Sequence, residues 1–526
     1  MRVEKPKLSC TVSFILALAS FAASVAHGQA LGTSEAILWS FGNGTDGANP
    51  EGALIRDARG NLYGTTQCGG GAGPCYGTVF ELTSAGKEFV LWSLVGSSSS
   101  GPVAGLLRDR HGHLYGTTPW GGAGGRGTIF ELRRRGVKWV EFVLWSFADS
   151  SEFGSNTDGE VPEAGLLRDA KGNLYGTTIF GGDSPHSSYD FGRGTIFKLT
   201  PDGHESVVWN FGDTAVDGKY PATGLIMDKD GNLYGTTQYG GPYPGFTGLG
   251  FGTVFKVSPD GMETVLWNFA DGSDGAEPQG GLLLDSSGNL YGTASAGGIK
   301  GGGTVFKLTP DGSESTLWSF GDGTVYDASR PEAGVIMDRR GNLYGTTFYG
   351  GLNDQGTVFE LTPPSINGGN WTESVLWSFG KIGGPDGYWP TAGVTIDARG
   401  NLYGTTPYGG AYGQGIVFEI ERGRLTYHPR SLSFTSRSHN GAPSASKTLS
   451  IANRSSVVSM NFNPSISGSP FAITADTCVS PLPPESSCQI SVDFAPIVIG
   501  KEAGSLFLSG TAAGSPQTVE LKGTAD

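Results

Sequence analysis

Charge is scarce in this chain: 16% of its 526 residues are Asp, Glu, Lys or Arg, well below the average for globular proteins. Basic residues are the scarcer sign, 35 Lys and Arg against 49 Asp and Glu, so no positive surface is available to displace counterions from phosphate. A nucleic acid partner is thereby disfavoured. Long hydrophobic runs are missing after Val12–Val25, so no span of a bilayer is expected in the mature chain. Only seven His occur, at 27, 111, 113, 186, 204, 428 and 439, and no pair has metal-ligand spacing. The sequence implies no cofactor and no metal site. No Gly-x-Ser-x-Gly phrase stands between a strand and a helix, so no catalytic residue is assigned.

Cysteine is rare as well. Of five, Cys10 lies in an N-terminal segment that opens with Arg2, Lys5 and Lys7, continues into the apolar run and reaches the small residues Ser24, Ala26 and Gly28. This reads as a secretory signal peptide over 1–28. Cys68 and Cys75 lie seven apart and Cys478 and Cys488 ten apart, so two local disulfides are expected in an oxidising compartment. The expected location is extracellular or at the cell surface, with the periplasm as another option.

Glycine, in contrast, is abundant: 88 residues, 80 of them within 31–424. It lacks the every-third-residue spacing of collagen, and 11% aromatic content is too high for a disordered linker. Self-comparison explains the excess. A phrase close to Gly-Asn-Leu-Tyr-Gly-Thr-Thr recurs with its Tyr at 63, 115, 175, 234, 291, 344 and 403, at spacings of 52 to 60 residues. Each copy follows an apolar stretch such as Ala104–Leu107 and an Asp-x-x-Gly turn, and precedes a Gly-rich loop, a strand such as Gly127–Leu132 and a Leu-Trp-Ser-Phe strand. Four strands per unit predict an all-β fold, a seven-bladed β-propeller over 31–424. The first Trp strand, Ile37–Phe41, precedes any complete unit and none follows Ile416–Ile420, so the N-terminal copy is expected to close the ring as the fourth strand of the last blade. The Trp residues of these strands are expected to pack between blades.

These phrases, present in all seven units, resemble the bacterial Gloeo/Verruco (GloVer) tandem-repeat family. The resemblance implies an exported, surface-associated protein of unknown biochemical activity, frequently joined to a C-terminal anchoring module. From 425 the repeat gives way to short alternating segments, Leu432–Phe434, Thr448–Asn453, Phe471–Ile473, Cys488–Phe494 and Gly504–Leu508, which predict an immunoglobulin-like β-sandwich over 425–526. Its Cys478, Cys488 and closing Val519–Thr524 are similar to the ASPM/hydin-like (ASH) and choice-of-anchor modules, which implies adhesion, spacing or assembly. The terminal Leu521–Asp526 carries neither a hydrophobic tail nor a basic cluster.

The repeated aspartates Asp57, Asp109, Asp169, Asp228, Asp285, Asp338 and Asp397 read as turn residues, as do Asp46, Asp158, Asp217, Asp274 and Asp386 in Asp-Gly-x-x-Pro loops. The candidate ligand-binding residues are aromatic. Trp120, Phe180, Tyr239, Tyr349 and Tyr408 each precede a Gly-Gly pair, with Cys68 and Ala296 in the other two units; on a propeller they would ring the channel mouth. Flat rings suit a glycan or an extended protein segment, and the long loops 181–194 and 240–252 would shape specificity. A polysaccharide-acting lyase or hydrolase is the other class, and it requires acidic and basic groups to converge at that mouth.

Overall fold

The computed structural model describes residues 33–526 apart from 71–74, 95–98, 148–156, 183–191, 213, 215, 246–247, 271, 322–326, 365–367, 381, 424, 437–440, 456–458, 479 and 511–516. The segment read as a signal peptide and most of the 181–194 loop lie outside them. The described residues are all-β and propeller-like: strands throughout, and no helix long and apolar enough to cross a membrane.

Each Leu-Tyr-Gly-Thr-Thr phrase forms a central strand of a four-stranded antiparallel sheet, and seven such sheets occur among the described residues. In the first, Ile55–Arg56, Leu62–Thr66, Thr78–Leu82 and Glu88–Ser93 lie side by side in chain order. The expected apolar strand is therefore short, two residues in every unit. In the seventh sheet, Thr395–Ile396, Leu402–Thr406 and Ile416–Arg422 are joined by Thr33–Ser40, which pairs from Thr33 with Arg422 to Ser40 with Ile416.

Successive sheets pack face to face around one axis. The Phe of each third strand is fully buried, and in six of the seven units it meets, edge to face, the Phe that follows the preceding unit's fourth strand, Leu94 taking that place before Phe130: Phe41 with Phe80, Phe147 with Phe197 and Phe379 with Phe418 have centroids 5.1 to 5.2 Å apart. The tryptophans flank these clusters and are only partly buried, so phenylalanine rather than tryptophan fills the centre of each junction. Glycine makes room for it: a Cβ at Gly345 would stand 2.6 Å from Cζ of Phe359. The last junction unites Phe41, Tyr403 and Val417 with Leu54, Leu62, Phe80 and Leu82, the same arrangement as the internal ones.

Hydrogen bonds repeat the circuit. The Thr that follows each Leu-Tyr-Gly donates to a carbonyl at the start of the next unit: Thr65 to Ala104 (3.0 Å), Thr117 to Ala164 (2.9 Å), Thr293 to Ala333 (2.9 Å), Thr346 to Ala392 (2.9 Å). Thr405 donates to Gly52 of the first unit, 3.2 Å away. At the axis the inner segments nearly touch. A Cβ on Gly334 would lie 2.2 Å from the carbonyl oxygen of Gly281, and one on Gly105 2.9 Å from that of Ala53, so only small residues fit.

The repeated Asp turns fold as expected: Asp57 Oδ1 accepts from the backbone N–H of Arg59 and Asn61, both at 2.9 Å, and the same pair of bonds recurs in the other six units. The hydroxyl of the repeat Tyr donates to the same carboxylate, at 3.0 Å between Tyr234 and Asp228.

The last hundred residues form two further four-stranded sheets. One orders Leu425–His428, Lys447–Asn453, Ser487–Phe494 and Phe471–Asp476; the other orders Ser431–Ser436, Gln517–Ala525, Gly500–Gly510 and Phe462–Ser467, with Ser431–Ser436 parallel to Gln517–Ala525. Leu449, Ile451, Ile490, Val492 and Phe494 from one sheet share a core with Leu432, Phe434, Leu506, Val519 and Leu521 from the other. Both disulfides are formed, Cys68 with Cys75 and Cys478 with Cys488.

Candidate functional site

The Gly-Gly loops and the segments entering each unit are stitched together on one rim. Tyr239 pairs with Lys219, Tyr349 with Ser329 and Tyr408 with Tyr388; Cys68, Trp120, Phe180 and Ala296 bridge to Ala48, Ser100, Glu160 and Ala276 in the same way. The next residue in each entering segment precedes a proline and has a positive φ: Asn49, Gly101, Val161, Tyr220, Glu277, Arg330 and Trp389, between 54° and 64°. This is a costly conformation for six non-Gly residues. It is held because each N–H donates into the preceding unit's loop, as from Tyr220 to Arg193 (2.9 Å), Arg330 to Gly302 (2.7 Å) and Trp389 to Gln355 (2.9 Å). The result is a ring of locked backbone carrying variable side chains.

Two aromatic groups stand on this rim. Tyr220 lies between Phe180 and Tyr239, with centroids 5.6 and 6.1 Å away, and Arg193 lies over its ring. Around Trp389, Phe348 stacks at 5.6 Å, and Tyr388, Tyr408 and Tyr349 meet it edge-on at 5.3, 5.8 and 6.4 Å. Arg330 lies over both Phe348 and Tyr349. Of the five aromatics expected at the mouth, Phe180 and Tyr239 thus belong to one group and Tyr349 and Tyr408 to the other. Trp120 stands apart, 47% exposed. Within the 240–252 loop, residues 246–247 lie outside the described residues, as do 183–191 of the 181–194 loop.

Carboxylates converge inside the rings. Glu51, Glu163 and Glu332 occupy one position in the first, third and sixth units, two residues ahead of the small residue at the axis. Burial, then the negative charges of Glu163 and Glu332, push the Glu51 carboxyl up to about 7. Burial raises Glu163 and Glu332 as well, the latter opposed by Arg330, whose Nε lies 2.8 Å from Glu332 Oε1. Tyr239 is raised by burial and by Glu277, and lowered by Arg330, so Arg330 acts on both aromatic groups. Sequence reasoning missed these acids because the position holds Val103, Ala222, Gln279 and Thr391 in the other units. It also passed over the residue before each proline, where variation between constant neighbours was the available signal. No group of three or more His, Cys, Asp and Glu suited to a metal ion occurs among the described residues.

The second aspartate set serves the fold. Asp46 accepts from the Trp39 indole at 3.3 Å and from the Gly42 N–H at 3.2 Å, and Asp158 and Asp274 accept from Trp145 and Trp267. These aspartates face the first glutamate of each outer strand, and burial together with Asp46, Asp158, Asp217 and Asp274 pushes Glu88, Glu205, Glu263 and Glu314 up to about 7. His111 and His113 lie at the opposite rim in an Asp turn, where His113 Nδ1 stands 3.1 Å from Glu131.

The family model of the Gloeobacter/Verrucomicrobia repeat matches residues 29–249 and 247–459. Among curated proteins, none matches the chain. Similar solved structures include a protein of unknown function from Bacteroides thetaiotaomicron, 14% identical, covering 74% of this chain and 73% of that one with a TM-score of 0.39. A gluconolactonase from Xanthomonas campestris is 14% identical over 59% of this chain and 85% of that one, TM-score 0.33. The Xyloglucan PUL GH43B protein of Bacteroides ovatus is 12% identical over 93% and 92%, TM-score 0.28. At such scores these likenesses carry no argument about activity.

Proposed function

This chain belongs to the Gloeobacter/Verrucomicrobia repeat family, and we propose that it is an exported binding protein whose seven-bladed β-propeller, followed by an immunoglobulin-like ASH-type module, offers the rim at its channel mouth to a glycan. The observation that carries this reading is the aromatic clustering of Tyr220 with Tyr239 and of Trp389 with Tyr349 and Tyr408, with Arg330 joining Tyr349 to Glu332, one of three mutually interacting buried carboxyls. Ring faces pack against the C–H face of a sugar while carboxylates accept from its hydroxyls. Three acids at the centre repel uronate and sulfate, so the expected ligand is a neutral or amino sugar chain. Disulfides and the segment 1–28 support export, hence a ligand outside the cytoplasm. Glycan-array binding of the mature protein tests the reading: Trp389→Ala and Tyr349→Ala should each weaken retention of the bound glycan about tenfold, about 1.4 kcal/mol. No binding to any neutral or amino glycan would sink it.

One observation favours a polysaccharide-acting enzyme instead. Glu51, pushed up to about 7, can hold a proton at neutral pH, which suits general acid work on a glycosidic bond. Release of new sugar ends from the bound glycan, abolished in Glu51→Gln with binding kept, would select this reading.

A further inference from the structure

One stretch of the opposite rim gathers positive charge. Where the Asp turns of the sixth and seventh units meet the C-terminal sheets lies a cleft of about 640 Å³, lined by Arg339, Arg340, Arg399, Arg422 and Arg430 together with Asp338, Asp397, Tyr427 and Gln517. Five guanidinium groups around one cleft are unexpected in a chain of net charge −14. Asp338, Asp397 and Glu360, the partner of Arg422, offset three of the five and leave a surplus of two positive charges, while the oxygens of Asp338 and Asp397 are engaged in their own turns. Asp397 Oδ1 accepts from the N–H of Arg399 and Asn401 at 2.8 and 2.9 Å, and Asp338 Oδ1 from those of Arg340 and Asn342 at 2.8 and 3.0 Å. Their second oxygens take the Tyr403 and Tyr344 hydroxyls.

Arg422 anchors the back of the cleft. It is buried, with Nη1 donating to Tyr344 Oη at 2.7 Å and Nη2 to Glu360 Oε2 at 2.8 Å, while its Nε is buried with no acceptor. At the front Arg430 lies over the Tyr427 ring, 5.5 Å from its centroid, which orients the guanidinium. Tyr427 is itself fixed by donating to the Thr518 carbonyl at 3.0 Å. The repeat turns supply part of the charge and the C-terminal sheets the rest, so the cleft exists only where the two meet.

We propose that this cleft binds an oxyanion, the carboxylate, sulfate or phosphate of a saccharide-sized molecule, by forked hydrogen bonds from Arg399 and Arg430, with Arg339 and Arg340 adding to the positive field. It is a second site, at the far ends of the strands from the aromatic rim, and of opposite preference to it.

Calorimetric titration of the full mature chain at low ionic strength tests this, with sodium sulfate, inorganic phosphate and glucuronic acid in separate arms. Saturable binding at one site per chain is expected in at least one arm, and the arm that binds distinguishes tetrahedral from planar oxyanions. The Arg399→Ala/Arg430→Ala variant, altered only at exposed side chains, should weaken it about tenfold. Arg399→Lys/Arg430→Lys should recover part of the loss, and Arg110→Ala in the corresponding turn of the second unit should leave binding unchanged. Absence of saturable binding in all three arms, or equal weakening by Arg110→Ala, overturns the proposal. Neither result bears on the glycan reading of the other rim.

Discussion

Phe41 is the side chain whose removal best tests whether the repeat region is held as a ring. It follows the N-terminal strand, is fully buried, and meets Phe80 of the first unit at 5.1 Å and 63°. Phe147 is its counterpart between the second and third units, equally buried and meeting Phe197 at 5.1 Å and 61°. Truncation of a buried Phe to Ala costs about 3–5 kcal/mol. In a ring both substitutions open a junction of the same cooperative body, so Phe41→Ala and Phe147→Ala should each cost that amount and differ from each other by less than about 1 kcal/mol. In an open array Phe41 would sit in an end unit able to fray alone, and its loss would be largely invisible to the rest. Urea unfolding followed by tryptophan fluorescence resolves this cleanly, because all 11 tryptophans lie before residue 425 and the signal excludes the C-terminal sheets. The slope of free energy against urea should stay that of the parent. A cost below about 1 kcal/mol for Phe41→Ala beside a full cost for Phe147→Ala, or a reduced slope in Phe41→Ala alone, would refute the ring as a single cooperative unit.

Thr405→Val removes the hydroxyl that reaches Gly52 and leaves that carbonyl without its donor. A loss of about 1–3 kcal/mol is expected, read as a lower urea midpoint. Gly345→Ala forces a methyl against Phe359 and should cost about 1–3 kcal/mol, with partial recovery in Gly345→Ala/Phe359→Leu by thermal melting. Stability should also depend on pH with a definite sign. Glu51, Glu88, Glu205, Glu263 and Glu314 hold protons in the folded state up to about 7, against an ordinary value of 4.5, so the stabilisation is complete below about 4.5 and drains away as pH rises through 7. The urea midpoint should therefore fall between pH 5 and pH 8, and fall less in Glu88→Gln/Glu205→Gln; a midpoint that rises over this interval contradicts the burial described above.

Much of this architecture is legible in the chain because it is local and repeated. An Asp followed three residues later by Gly makes its own turn, alternation in Leu-Tyr-Gly-Thr-Thr makes a strand, and an unpaired Trp strand at one end of the repeats points to the gap at the other. The rim is less legible. Aromatic residues ahead of Gly-Gly are visible, but Glu51, Glu163 and Glu332 are scattered through 282 residues, between 51 and 332, and become neighbours only when the sheets come round the axis. Tyr220, Arg330 and Trp389 are hidden for another reason: a residue before proline is expected in extended backbone, and their left-handed geometry is imposed by hydrogen bonds from the preceding unit. The arginine cleft unites residues of two different sequence patterns, so neither pattern discloses it.

The strand Thr33–Ser40 has a consequence in time as well as space. Its partner, Ile416–Arg422, is the last strand of the repeats to be made, so nearly 400 residues must emerge before the first strand of the chain can take its place. Contacts of such sequence separation form late and slowly. Until then the outward edge of Ile416–Arg422 and the free N-terminal strand remain two unpaired edges, and in a crowded space each can capture its counterpart on another molecule. The same pairing that locks one chain into a ring is, for an unfinished chain, a means of linking to the next.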